Sequence, residues 1–250
     1  MIIDISYYNK VVSWEEVKKR VDGVIIRMGY TGYSSGKCVL DKKWREYSTA
    51  ALAAGIPRGA YFFPQSINKE EAQREADFIY NELKDVSLPL GIWLDSEIAD
   101  VKTKNGRADH LSKATRTEML KIIIDRLKSY GLTCGVYASS GWLDNNLNMK
   151  MLSGVPVWAA QWSNKLTYKG SVMLWQYSDN GTIPGISGRV DLDRLINNEE
   201  TQSDPVTDQE LDAAIDVIAL RVIVGKFGQG HEARKNSIYE LIRKRVNDII

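Results

Sequence analysis

The feature that most constrains the fold is the alternation of strand-like and helical stretches through the first half of the chain. Runs rich in Val, Ile and aromatic residues alternate with helical patterns, which predicts a parallel sheet covered by helices. No long helical stretch follows the fifth run, and turn-rich segments such as 178–182 appear instead. The sequence therefore predicts an α/β fold, a modified TIM-like β/α barrel with five βα units and three closing strands. The eight predicted strands are 2–6, 24–29, 59–63, 90–95, 133–138, 155–162, 172–177 and 189–192.

Capping residues mark where the helices begin. Ser13 and Glu16 have the spacing of a capping box, as do Asn68 and Glu71. Residues 113–130 carry apolar side chains at helical spacing with charges opposite, which predicts a long amphipathic helix.

The composition excludes several classes of protein. The 250 residues include 33 basic and 32 acidic side chains, and a net charge of +1 argues against a nucleic-acid partner. Cys38 and Cys134 lack CxxC spacing, so we expect two unpaired thiols. No apolar run approaches the roughly 18 residues of a membrane span, and the first residues lack the basic region of a secretory signal peptide.

The last quarter of the chain is predicted to be a separate unit. Residues 1–196 are expected to form the catalytic barrel, and the polar segment 197–206 reads as a linker. Residues 207–250 contain two stretches with helical patterning around a glycine-rich break, which predicts a small C-terminal α-helical domain.

Two carboxylates stand at the end of the fourth predicted strand. Trp93, Asp95 and Glu97 are spaced two apart, so alternation places them on one face. Active sites of β/α barrels lie at the carboxyl ends of the strands. A structural role, in capping or in ion pairs, is the alternative for the same residues.

Two further acids occupy comparable positions in neighbouring strands of a closed barrel. Asp4 lies in the first strand and Asp191 in the eighth. Four acids at one mouth cannot all ionise cheaply, so at least one should keep a proton near neutrality and serve as a general acid. Arg27 in the second strand either pairs with Asp4 or points outward, and the sequence favours neither.

The strands also carry aromatic side chains whose flat apolar surfaces suit sugar rings. Alternation predicts that about half of them face the mouth, without indicating which. They are Tyr7, Tyr61, Phe63, Tyr137, Trp158, Trp162, Trp175 and Tyr177.

Other catalytic motifs are weak. Residues 32–36 match G-x-S-x-G, but no helix start follows directly, and His110 and His231 are the only histidines. The chain has no H-E-x-x-H zinc motif, Walker A sequence or G-x-G-x-x-G pattern. We therefore expect neither a metal nor a cofactor.

Several motifs in a consistent order carry a resemblance to a known family. The motifs are Asp4-Ile-Ser6, Val24-Ile-Ile-Arg27, Gly59-Ala-Tyr61-Phe62, Asp95-Ser-Glu97, Gly135-Val-Tyr137, Trp158-Ala-Ala-Gln161-Trp162, Leu174-Trp-Gln-Tyr177 and Val190-Asp191-Leu192. With these motifs, the chain from residue 1 to about 197 resembles glycoside hydrolase family 25, the muramidases of bacteria and their phages. Phe62 stands where relatives often have histidine, and Asp193 where asparagine is common.

The resemblance implies a barrel enzyme that hydrolyses the β-1,4 bond between N-acetylmuramic acid and N-acetylglucosamine in bacterial peptidoglycan. Glu97 would be the general acid. Asp95 would orient the substrate's 2-acetamido group, the favoured internal nucleophile, while Asp4 and Asp191 tune protonation. Direct water attack with inversion is the alternative. The substrate-binding candidates are Arg27, Tyr61, Tyr137, Trp158, Gln161, Trp175 and Tyr177.

Three rival functions remain. A chitinase-like D-x-D-x-E would need an acid where this chain has Trp93. A glucosaminidase would act on a related glycan and leave N-acetylglucosamine, not N-acetylmuramic acid, at the new reducing end. A barrel that only binds cell-wall glycan is disfavoured by the presence of all four acids.

The C-terminal unit carries the motif Val222-Ile-Val-Gly225-Lys-Phe227-Gly228-Gln-Gly230, followed by Glu232, Arg234-Lys235 and Arg245-Val-Asn247. With these residues it resembles the type 7 cell-wall-binding repeat of some phage lysozymes. This implies wall binding; the alternative is a helical appendage that packs or self-associates. The resemblance further implies a phage endolysin made in the cytoplasm and released through a holin. The wall-binding candidates are Phe227, Glu232, Arg234 and Lys235.

Overall fold

A computed structural model describes residues 1–196 of the chain, and the predicted linker and C-terminal helical domain lie outside these residues. Within this part there are five helices and eleven strands, and eight of the strands correspond to the eight that the sequence predicts. The strands are β1 (Ile2–Ile5), β2 (Lys10–Val11), β3 (Gly23–Thr31), β4 (Cys38–Leu40), β5 (Arg58–Phe63), β6 (Ile92–Asp95), β7 (Cys134–Ser139), β8 (Val157–Ala160), β9 (Leu174–Gly181), β10 (Ile186–Ser187) and β11 (Val190–Leu195). The helices are α1 (Trp14–Lys18), α2 (Trp44–Ala53), α3 (Lys69–Leu83), α4 (Lys113–Ser129) and α5 (Ser140–Asn146).

Eight strands close into a barrel. Their order around it is β1-β3-β5-β6-β7-β8-β9-β11, and β11 pairs again with β1. The first seven are parallel, whereas β11 runs antiparallel to both of its neighbours. The predicted barrel, with five βα units followed by three closing strands, is confirmed.

The segment 178–182 differs from its prediction as a turn. Strand β9 continues to Gly181, which pairs with Val190 of β11 across an irregular register. Strand pairing with β11 therefore extends through residues whose local composition favours turns.

The helix starts agree with the predicted caps. The side chains of Ser13 and Asn68 accept hydrogen bonds from the backbone N–H groups of Glu16 and Glu71. Helix α4 begins after Ser112, which caps it in the same way.

None of the helices in residues 1–196 is long and apolar enough to cross a membrane. Both cysteines are free.

The barrel interior is filled below the carboxylates by an apolar layer. Ile2, Ile25, Trp93, Trp158 and Leu174 form this layer, and a larger cluster fills the space between the strands and helices. A side chain at Gly135 would place its Cβ 2.4 Å from the ring of Trp93, so glycine is required for this ring to enter the interior.

Candidate active site

Two of the four predicted acids form the buried part of the site. Asp4 on β1 and Asp95 at the end of β6 are both buried inside the barrel, each two residues beyond a member of the apolar layer. Burial raises the pKa of both carboxyls well above the usual range, and neighbouring acids raise it further. Oδ1 of Asp95 has no hydrogen-bond partner among the described residues.

Glu97 and Asp191 lie nearer to solvent. Glu97 follows β6 and is exposed at the mouth, while Asp191 on β11 is half-buried opposite Asp4 in the strand register. The protein around the Glu97 carboxyl desolvates it, and the charge of Asp191 adds to this effect, so that its pKa rises to about 7. Burial, followed by the charge of Asp179, raises the pKa of Asp191 to about 6.

The four carboxyls are therefore close enough for the charge of one to change the pKa of another. The charge of Glu97 acts on Asp95, that of Asp191 acts on Glu97, and both act on Asp4. A carboxyl with a pKa near neutrality can donate a proton to a leaving group, while an ionised neighbour stabilises positive charge that develops on a sugar ring.

Gln176 on β9 organises the centre of the site. Its Nε2 donates to Oδ2 of Asp4 at 2.8 Å. Its Oε1 accepts from the Tyr137 hydroxyl and from Trp162 Nε1, each at 3.0 Å. One amide therefore ties an acid to two aromatic side chains at the mouth, and Trp162 keeps 60% of its surface exposed.

Tyr61, Tyr137 and Trp158 lie inside the barrel, on the same side as the acids. The Trp158 ring centroid is 4.6 Å from that of Tyr137 and 6.2 Å from that of Tyr61, both edge-to-face. Trp158 is fully buried, and the pKa values of the two tyrosines are raised by burial and by the nearby acids. Trp158 thus supports the two tyrosines from below.

Arg27 does not pair with Asp4. Its Nε donates to Oδ2 of Asp41 at 2.8 Å, and its guanidinium lies over the rings of Tyr7 and Tyr8. Its positive charge still reaches the site, because it lowers the pKa of Asp95 against the effect of burial. The sequence left the partner of Arg27 open, and the structure assigns Asp41.

Trp175 and Tyr177 lie on the outer side of the barrel wall, away from the mouth. Both pack with the cluster between strands and helices, and the Arg194 guanidinium lies 4.2 Å and 5.8 Å from their ring centroids. The structure therefore does not bring these two substrate-binding candidates to the acids, because it is Gln176, between them, that faces inward.

Gln161 lies directly after β8 and shapes a loop. Its Oε1 accepts from the backbone of Thr167 and from Ser140, and its Nε2 donates to the carbonyl of Lys165. Its backbone carbonyl accepts from Trp175 Nε1. These contacts fix the loop that carries Trp162.

Two residues of the site were not predicted to have a role in it. Gln176 shares a face of β9 with Leu174, two residues before it, but only the structure shows that this face is the inner one. Asp193 is fully buried and accepts a hydrogen bond from Trp158 Nε1 at 2.8 Å. Phe62 is buried on the outer side of β5 against Phe78, so it does not reach the acids.

No group of His, Cys, Asp and Glu side chains within residues 1–196 is arranged to hold a metal ion. The predicted wall-binding residues lie outside the described part of the chain; they are Phe227, Glu232, Arg234 and Lys235.

Comparison with known proteins identifies relatives of the barrel. A model of the glycosyl hydrolases family 25 matches residues 3–186. The chain is 27% identical over 171 residues to the autolytic lysozyme of Clostridium acetobutylicum, covering 68% of this chain and 49% of the relative.

Solved structures show the same fold. The modular autolysin LytC of Streptococcus pneumoniae, in complex with a synthetic peptidoglycan ligand, matches with a TM-score of 0.67 and 29% identity, over 77% of this chain and 45% of LytC. A bacterial lysozyme from Streptomyces coelicolor matches with a TM-score of 0.62 and 22% identity, over 78% of this chain and 91% of that one. The chain thus spans about half the length of the clostridial and pneumococcal proteins.

Proposed function

The chain belongs to glycosyl hydrolase family 25, and we propose that it is an N-acetylmuramidase, a lysozyme that hydrolyses bacterial peptidoglycan. The bond cleaved is the β-1,4 linkage between N-acetylmuramic acid and N-acetylglucosamine. The observation that carries this proposal is the placement of Glu97 directly after β6, at the end of the barrel that also carries Asp4, Asp95 and Asp191. Desolvation and the charge of Asp191 raise the pKa of Glu97 to about 7.

Glu97 is the general acid in this proposal. With a pKa of about 7, a large fraction of Glu97 carries a proton at neutral pH and can protonate the departing glycosidic oxygen. A carboxyl with the ordinary value of 4.5 would be almost fully ionised there.

Asp95 orients the 2-acetamido group of the substrate, which attacks the anomeric carbon as an internal nucleophile. The buried Oδ1 of Asp95, which has no partner within residues 1–196, is a free acceptor for an amide N–H. Besides burial, the charges of Asp4 and Asp191 raise the pKa values of Asp95 and Glu97, respectively. This course retains the anomeric configuration, and NMR of the fresh product distinguishes it from inversion by direct water attack.

Trp162 is a platform for a sugar ring. It is exposed at the mouth, and its Nε1 is anchored to Gln176 in the same network as Asp4. An aromatic ring held in this way offers a flat apolar face at low conformational cost.

Mass spectrometry of the products from purified peptidoglycan tests the proposed bond. New reducing ends on N-acetylmuramic acid are expected. Reducing ends on N-acetylglucosamine would instead identify a glucosaminidase, and the absence of products from several wall types would identify a barrel that only binds glycan.

The C-terminal residues 207–250 bind the cell wall in this proposal, and the protein acts as a phage endolysin released through a holin. The support is the resemblance of this segment to a wall-binding repeat of phage lysozymes. Deletion of residues 197–250 should reduce pelleting with cell walls and spare the cleavage of soluble glycan fragments. Unchanged pelleting would refute the binding role, and expression in a host should cause lysis only when a holin is co-expressed.

A further inference from the structure

Asp193 on β11 is a fully buried acid that lacks a counter-ion. None of its surface is exposed, and no Lys or Arg in residues 1–196 forms an ion pair with it. Oδ1 accepts the hydrogen bond from Trp158 Nε1 at 2.8 Å. Oδ2 is buried and has no hydrogen-bond donor within the described residues.

An ionised carboxylate in such a place would be costly. Burying a charge without a partner costs several kcal/mol, and a carboxyl avoids this cost by keeping its proton. The titratable groups that face Asp193 are Asp4 from β1, Asp191 from its own strand and Tyr177 from β9, and none of them is cationic. Burial, followed by the charge of Asp4, raises the pKa of Asp193 well above its usual value.

The contacts also locate the proton. Trp158 already donates to Oδ1, so the proton belongs on Oδ2, the oxygen without a donor. Asp193 lies directly opposite Gln176 in the register of β11 and β9, and Gln176 donates to Asp4 on the other neighbouring strand, so that the carboxyls of Asp193 and Asp4 lie on the same inner side of the barrel. A hydrogen bond between these two carboxyls raises the pKa of Asp193 and lowers that of Asp4. Two carboxyls in contact share one proton, because only one of them can act as the donor.

We propose that Asp193 is a positioning residue, which stays protonated at neutral pH and donates a hydrogen bond to Asp4 that favours the ionised form of that carboxyl. Asp4 then has two donors, Asp193 and Gln176, and both lower its pKa against the effect of burial. This inference rests on the proposed function, since Asp4 matters through its effect on the reacting acids.

The proposal predicts which side chains can replace Asp193. Asparagine keeps an oxygen for Trp158 and supplies an N–H donor for Asp4, so Asp193→Asn should retain most of the kcat/KM at neutral pH. Leucine supplies neither group. Asp193→Leu should lower kcat/KM by about ten- to a hundredfold through the loss of a charge-assisted hydrogen bond to Asp4. Asp85→Asn, an exposed substitution of the same chemistry, is the matched control.

Stability against pH supplies a readout that does not depend on activity. The pKa of Asp193 is higher in the folded state than its unfolded value near 3.8, so the folded state binds the extra proton. Stability from this group is complete below pH 3.8 and is lost as the pH rises towards the folded pKa. The melting temperature of Asp193→Asn should therefore rise relative to wild type as the pH increases from about 4 into the neutral range.

The experiment measures thermal unfolding and kcat/KM across pH for wild type, Asp193→Asn, Asp193→Leu and Asp85→Asn. A constant melting-temperature difference between wild type and Asp193→Asn would overturn the proposal. An equal loss of kcat/KM in the Asn and Leu variants would do the same. If Asp193→Leu does not fold, the unfolding of Asp193→Asn decides alone. A wild type that does not cleave peptidoglycan would refute the proposed function and leave the unfolding test intact.

Discussion

The charge of Asp191 helps to keep a proton on Glu97, so its removal should change the pH dependence of catalysis. The pKa of Glu97 rises from 4.5 to about 7, mainly by desolvation and secondly by the charge of Asp191. Since Asp191 makes the smaller contribution, Asp191→Asn should lower the pKa of Glu97 by about one pH unit or less.

This change should appear in the alkaline limb of the rate profile. Glu97 acts only when protonated, so kcat/KM should fall about tenfold for each pH unit above its pKa. The limb is expected near pH 7 in wild type and at lower pH in Asp191→Asn. Initial rates of cleavage of soluble peptidoglycan fragments across the pH range measure its position. If Asp191→Asn also lowers the maximal rate, the whole rate profile becomes lower, but the pH at which its alkaline limb falls is not affected.

Asp179→Asn is the matched control for this experiment. It also removes one negative charge near the mouth, but Asp179 raises the pKa of Asp191 and is not among the groups that raise the pKa of Glu97. The control should leave the alkaline limb in place. A limb that stays at the wild-type pH in Asp191→Asn, or that moves equally in both variants, would refute the assignment.

Three substitutions test the contacts around the site. Tyr177→Ala should lower the free energy of unfolding and leave the kcat/KM of folded enzyme nearly unchanged, because the ring of Tyr177 packs outside the barrel; a large loss of activity per folded molecule would contradict this placement. Gln176→Leu should cost about 1–3 kcal/mol in urea unfolding, since Asp4 loses a donor and Tyr137 an acceptor; wild-type stability would argue against the network. Arg27→Met should cost about 3–5 kcal/mol because Asp41 keeps a buried charge without its partner, and a smaller cost in an Asp41→Asn background would confirm the pairing.

Much of the barrel could be predicted because its signals are local. Most barrel strands are short apolar runs, and four of the five helices in residues 1–196 begin after a capping residue such as Ser13 or Asn68, whereas α2 begins after Lys43 without a side-chain cap. The direction of β11 could not be predicted, since side chains alternate with the same period in parallel and antiparallel strands. The extension of β9 to Gly181 depends on pairing with a strand that follows it in sequence.

The candidate site was predicted in part for related reasons. Asp95 and Trp93 share a face as alternation requires. On β9, however, Gln176 lies on one face of the strand and its two aromatic neighbours lie on the other, so either set could face the barrel interior. A shift of one residue exchanges the faces, and nothing within the motif indicates which face is inward. The ion pair of Arg27 with Asp41 is a tertiary contact without a sequence signature.

The central claim is that Glu97 supplies the proton for cleavage of the glycan. The most direct measurement is the rate of reducing-end release from peptidoglycan by wild type, Glu97→Gln and Glu118→Gln, an exposed control on α4. Glu97→Gln should lose at least about a hundredfold in rate while it keeps the thermal unfolding of wild type, and Glu118→Gln should keep both. Turnover by folded Glu97→Gln near the wild-type rate would contradict the account.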